Sequence, residues 1–203
     1  MIAIVDYDAG NTFNVQKAFT HLGIPTVLTA DKEIILKADG VVVPGVGAFK
    51  QAMETLTQRG LVPVLQDVAA KETPLLGICL GMQILFESST EYGKTAGLGL
   101  IPGTVEAIPT DLGLMVPHTG WNQNRVYKPA SPFSFVDNEY TYFVHSYYAC
   151  CDDEYIVAAA DYGVTIPAIV GRGSIYGMQF HPEKSAAIGL RLLKQFGSLC
   201  GAV

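Results

Sequence analysis

The sequence predicts an α/β fold: a central, mostly parallel sheet flanked by helices, with an added smaller mixed or antiparallel sheet. Three observations predict it. In the first hundred residues, short apolar runs of strand length alternate with stretches whose apolar residues recur at helical spacing, the pattern of βαβ units. Past residue 100 the strand-like runs follow one another across turns, which predicts antiparallel pairing. The chain has 203 residues, 49% of them hydrophobic, and no linker, repeat or low-complexity stretch divides it. Residues 1–203 are therefore predicted to be a single domain.

The elements follow in order. Ile2-Ala3-Ile4-Val5 is a strand-length apolar run, Gly10-Asn11-Thr12 a turn and helix start. Val15, Ala18, Phe19 and Leu22 repeat at helical spacing, and Gly23 closes that helix. A second strand is predicted at 26–28. Val41-Val42-Val43 has the β-branched, fully apolar character of a buried parallel strand and ends at Pro44-Gly45-Val46-Gly47. Helices carrying Met53 and Leu56, and then residues 61–70, come next. Leu75-Leu76-Gly77-Ile78 is a further buried strand, and 82–87 reads as a helix. Strands are predicted at 105–108, 140–148, 156–160, 168–170 and 175–180. The last helix starts near Ser185, a plausible N-cap, with Ile188, Leu192, Phe196 and Leu199 as its apolar stripe.

Composition excludes several function classes. Charged residues are only 16%, against roughly 25% in ordinary domains, so disorder is excluded. The net charge is -6 and no basic block occurs, so the electrostatic footprint of a nucleic-acid binder is absent. The N-terminus carries no basic-then-apolar leader. The longest apolar region, 75–86, is interrupted by Gln83 and falls short of the roughly 20 residues that span a bilayer. A cytoplasmic protein with no membrane segment is predicted. Of the four cysteines none sits in a C-x-x-C pair, so neither a zinc site nor any other metal or cofactor is expected.

The chemistry centres on Gly77-Ile78-Cys79-Leu80-Gly81. A buried strand turns directly into a helix with the cysteine at the corner, the thiol form of a nucleophile elbow. Glycines two residues before and two after remove side chains that would clash there. The helix N-terminus favours thiolate over thiol, and the Leu80 N–H can donate to a developing oxyanion. Taken alone, this pattern is equally that of a buried structural cysteine. Gln179-Phe180-His181-Pro182-Glu183 supplies partners: a histidine to take and return a proton, and a carboxylate two residues on to hold its far nitrogen. Taken alone it too is equally a loop without a role. Pro44-Gly45-Val46-Gly47 lets backbone N–H groups approach a ligand, although an ordinary tight turn has the same composition.

Together these three motifs, in this chain order, resemble the class I (triad) glutamine amidotransferases, whose fold is flavodoxin-like. The resemblance runs from Ile4 to the terminal helix. Asp6-Tyr7-Asp8-Ala9-Gly10-Asn11, the run to Phe49, Val116-Pro117-His118-Thr119-Gly120-Trp121-Asn122 and Phe143-Val144-His145-Ser146-Tyr147-Tyr148 are similar to one branch, the glutaminase subunits of imidazole glycerol phosphate synthases. Asp8, Ala9 and Thr119 depart from the commonest form of that branch.

The resemblance implies that Cys79 attacks the glutamine side-chain amide, with His181 as base and Glu183 as orienter. It implies an oxyanion hole from Val46, Gly47 and Leu80, glutamine contacts from Gln83, Ser146 and Tyr147, and a partner-facing surface with Asn11, Asn14, Trp121 and Asn122. The implied partner is a (β/α)8-barrel cyclase subunit that consumes the ammonia. By residue type Trp121 could be a core aromatic, but its loop-like Gly120-Trp121-Asn122 context favours the partner-facing reading about two to one; for His145 a satisfied structural histidine is nearly as good a reading as a substrate contact. Competing readings are a glutaminase for anthranilate, aminodeoxychorismate or GMP synthesis, a silent binding module with this fold, and a peptidase or γ-glutamyl hydrolase. The intact Cys79, His181 and Glu183 oppose the silent module.

Overall fold

A computed structural model of the chain describes residues 1–8, 10–111 and 113–202; Ala9 of the opening motif lies outside them. The elements in chain order are β1 (Ile2–Val5), α1 (Thr12–His21), β2 (Thr26–Thr29), α2 (Lys32–Lys37), β3 (Gly40–Val43), α3 (Phe49–Gln58), α4 (Val62–Ala70), β4 (Leu75–Ile78) and α5 (Leu80–Gln83). Then come β5 (Phe86–Ser89), β6 (Thr95–Ala96), β7 (Ile101–Ala107), β8 (His118–Val126), β9 (Tyr140–His145), β10 (Tyr147–Cys150), β11 (Ile156–Asp161), β12 (Thr165–Arg172), β13 (Ile175–Met178) and α6 (Ala186–Leu199).

The large sheet has nine strands in the order β2-β1-β3-β4-β13-β12-β11-β8-β9. Its first five strands are parallel, and from β13 onward the pairing is antiparallel. A smaller mixed sheet runs β10-β7-β5-β6. The predicted architecture is therefore observed. β1, β3 and β4 are buried along their whole length, as continuous apolar runs require. One core packs α3 and α4 against them, and a second lies beneath α1 and α6. Leu192, Leu193 and Phe196 of α6 are fully buried, each contributing about 1.5–3 kcal/mol.

Four sequence expectations are corrected. Residues 82–87 are not a helix: α5 ends at Gln83, and Phe86–Ser89 pairs with β7. An apolar run buried on all sides carries no period that tells helix from strand. The predicted strand 140–148 breaks at Ser146, where the chain passes from one sheet to the other. The loop-like Gly120-Trp121-Asn122 context belongs to β8, a nine-residue strand paired on both sides. Its inward positions include His118 and Asn124, so hydropathy does not reveal its alternation. Ser185 occupies the N-cap position of α6 but does not cap; its hydroxyl donates to the His181 carbonyl at 2.7 Å and accepts from the Tyr142 N–H at 3.0 Å.

Strand order positions the site. β1, β3, β4 and β13 are consecutive neighbours pointing the same way, so their carboxyl ends lie side by side. In open parallel sheets ligands bind at such ends. The segments that leave them are those the motifs singled out: Asn11, Pro44-Gly45-Val46-Gly47, Cys79 and His181.

Candidate active site

Cys79 sits at φ 53°, ψ -111°, a backbone conformation closed to most side chains and sustained only by its surroundings. Those surroundings are built by missing side chains. A Cβ on Gly77 would lie 2.3 Å from the Gly81 carbonyl oxygen, and one on Gly81 only 1.7 Å from that of Val43. The elbow therefore needs both glycines, as the sequence predicts. The Cys79 N–H is anchored by the Met178 carbonyl at 2.8 Å. The helix that follows is a single turn, Leu80–Gln83, so the expected macrodipole is reduced to the free N–H groups of that turn.

The Cys79 side chain opens onto a cavity of about 360 Å³, within the usual range for a small-molecule site. His181, Leu80, Val46, Gly47, Gln83, Ser146 and Tyr147 all line it. Every predicted catalytic, oxyanion and substrate residue except Glu183 thus borders one cavity, and Glu183 stands behind His181. The Glu183 Oε1 and His181 Nδ1 atoms are 2.7 Å apart, with both side chains buried. The other ring nitrogen, Nε2, is buried without a hydrogen-bond partner. Burial by itself would lower the His181 pKa, but the neighbouring Cys79 sulfur and then the hydrogen-bonded Glu183 carboxylate outweigh it and raise it to about 9.

Asn11 has a role the sequence does not reveal. Its side-chain amide donates to Glu183 Oε1, and Asn14 in turn donates to Asn11 Oδ1 at 2.7 Å. Asn11 thus supports the carboxylate, while Asn14 and Trp121 are exposed. Trp121 packs edge-on against Tyr142, whose carbonyl accepts from the His181 N–H at 2.9 Å. Asn122 is half-buried.

Further residues escaped sequence reasoning. Glu91 lines the cavity and accepts from the Phe49 N–H at 2.7 Å. Tyr7 is buried and its hydroxyl donates to the Pro44 carbonyl at 2.8 Å, supporting the loop after β3. Gly47 adopts φ +106°, where a side chain would be strained. Gln83 donates to Gln179 Oε1 at 3.1 Å, and Gln179 Nε2 reaches the Cys79 sulfur at 3.8 Å. Tyr7 and Gln179 lie inside quoted motifs; nothing in the sequence marks Glu91.

A thiol at an elbow, a histidine held by a carboxylate and a lined cavity can perform acyl transfer from an amide. Residues 3–197 match the family model described as glutamine amidotransferase class-I. The chain belongs to this family. Among its curated relatives is the imidazole glycerol phosphate synthase subunit HisH of Lactiplantibacillus plantarum, 56% identical over 100% of this chain and 97% of that one. The protein of the same name from Lacticaseibacillus casei is 57% identical over 97% and 94%. A solved structure described as a glutamine amidotransferase superposes with a TM-score of 0.77 at 20% identity, covering 99% of this chain and all of that one, a likeness of fold. Among the described residues, no helix of this amidotransferase is long and apolar enough to cross a membrane.

Proposed function

We propose that this chain is the glutaminase subunit of an imidazole glycerol phosphate synthase, acting as a single domain in the cytoplasm with a (β/α)8-barrel cyclase as partner. The observation that carries the chemistry is Cys79, strained at its elbow, sharing one cavity with a His181 whose far nitrogen is held by Glu183. The names of relatives 50–57% identical support the pathway and the partner.

The Cys79 thiolate attacks the side-chain carbonyl carbon of glutamine, and the C=O electrons move onto oxygen. N–H groups of Leu80, Val46 and Gly47 meet that charge. As the tetrahedral intermediate collapses, protonated His181 gives its proton to the departing nitrogen, and ammonia leaves for the cyclase subunit. The γ-glutamyl thioester remains. Neutral His181 then takes a proton from water, the hydroxyl adds to the thioester, and glutamate and the thiolate separate. Gln83, Ser146 and Tyr147 hold the glutamine, and the Glu91 carboxylate suits its ammonium group. Asn14, Trp121 and Asn122, with the partly exposed Asn11, face the cyclase.

In the assembled synthase, Cys79→Ala is expected to abolish glutamine-dependent formation of imidazole glycerol phosphate while synthesis from added ammonium continues. Product formed from glutamine at the wild-type rate would remove Cys79 from the mechanism.

A further inference from the structure

The proposed mechanism leaves two buried histidines unused, His118 on β8 and His145 on β9. Both have their hydrogen-bond partners, and those partners dictate where every proton sits. His145 Nδ1 lies 2.9 Å from the Tyr147 carbonyl oxygen, which can only accept, so Nδ1 carries the proton. His145 Nε2 lies 3.0 Å from His118 Nδ1. His118 Nε2 lies 3.3 Å from Asn122 Nδ2.

The Asn122 amide is oriented without ambiguity. Its nitrogen donates to the Asp161 carbonyl at 2.8 Å, and its oxygen accepts from the Gln123 N–H at 2.8 Å. Read from either end, the same polarity results. Asn122 donates to His118 Nε2, His118 Nδ1–H to His145 Nε2, and His145 Nδ1–H to the Tyr147 carbonyl. A charged imidazole at either position would set two donors face to face. Burial acts in the same direction, holding His118 down at about 4 and His145 at about 3, the latter helped by His118 and His181. Phe143 and Tyr162 stack on the two sides of the His118 ring, at 4.8 and 3.9 Å between centroids.

The Tyr147 carbonyl is where a second chain arrives. It also accepts from Gln83 Nε2 at 2.9 Å, and Gln83 is linked through Gln179 to the Cys79 sulfur. The adjoining Ser146 carbonyl accepts from the Ile108 N–H at 2.9 Å. Both carbonyls of this cavity wall are thereby turned to the protein, leaving its side chains for a ligand.

We propose that His118 and His145 are positioning residues: a one-way hydrogen-bond relay that fixes the Ser146–Tyr147 wall and Gln83 from Asn122 on the outer part of the sheet. The role in catalysis rests on reading the cavity as the glutamine pocket; the proton arrangement does not.

Two measurements on the full chain test it. Side-chain 15N NMR of the histidines is expected to show His118 and His145 neutral and protonated at Nδ1 between pH 6 and 8, the less common tautomer. Nε2-protonated or charged rings would overturn the relay, and this readout needs no turnover. In the assembled synthase, His118→Phe keeps the stacking but deletes the relay. It is expected to raise KM for glutamine about 5- to 10-fold while kcat changes less than about 2-fold, the signature of lost uniform binding worth one net hydrogen bond. His118→Asn, which returns a donor at the Nδ1 position, is expected to restore most of that loss. An unchanged KM in His118→Phe, or no difference between the two variants, would overturn the positioning role. Loss of glutamine use by the wild type would instead count against the proposed function, with the tautomers still deciding the relay.

Discussion

At the scale of single residues, His181 is the group whose state matters most. Its pKa of about 9 keeps the ring protonated at neutral pH, the state from which the proposed mechanism protonates the leaving nitrogen. Because the folded value lies above the ordinary 6.5, the proton stabilises the folded chain fully below about pH 6.5. That contribution fades as pH rises through about 9. Glu183 supplies part of the rise, so Glu183→Gln should lower the His181 pKa and narrow that window. The basic limb of kcat/KM for glutamine should then move from about 9 toward neutrality, with a smaller maximum rate. A basic limb that stays in place would show that Glu183 only orients the ring. The triad itself was legible in the sequence because thiol, imidazole and carboxylate announce their chemistry by type. Asn11 behind Glu183, Tyr7 under Pro44 and Glu91 in the cavity wall were not, since their roles depend on where loop side chains point in the folded chain.

At the scale of elements, the elbow shows how a chemical conformation is held by packing. Gly81 is the sharper test, because its added Cβ would meet the Val43 carbonyl on a neighbouring buried strand and no rotamer change relieves that. Gly81→Ala is expected to cost about 3 kcal/mol or more despite alanine's better helix propensity, lowering Tm by about 6–12 °C. Gly99 is the comparison: its φ is +66° but nothing lies within 4 Å of an added Cβ. Gly99→Ala then pays only left-handed backbone strain, about 1–2 kcal/mol. Equal losses of Tm in differential scanning calorimetry would show that close approach does not hold the elbow. The G-x-C-x-G spacing exposed this element in advance. β8 stayed hidden, because its buried positions hold His118 and Asn124, the latter donating its amide nitrogen to the Glu139 carbonyl and the Thr141 hydroxyl at 2.9 Å. A strand that buries polar groups in pairs with its neighbours has no hydrophobic alternation to read.

At the scale of the whole molecule, the site lies where the parallel strands end, and the segments around it leave large apolar side chains in solvent. Phe13 on α1 is 70% exposed, Trp121 on β8 52%, and Val46 after β3 42%. Exposed apolar groups gathered about one edge mark an interaction surface more than a solvated one. Trp121 is the natural anchor: tryptophan is over-represented among residues that dominate binding energy, and here it packs on Tyr142, one hydrogen bond from His181. Trp121→Ala is expected to weaken association with the cyclase subunit by about 2 kcal/mol or more, a Kd raised roughly 30-fold in titration calorimetry. The Tm of the free chain should hardly change, because the lost side chain is half in water already. Tyr127, 46% exposed just past the other end of β8, provides the control, and Tyr127→Ala should leave the Kd within about 2-fold. If both variants bound alike, the cyclase would dock elsewhere. The ammonia released beside Cys79 would then have to reach it by a route that does not pass Trp121.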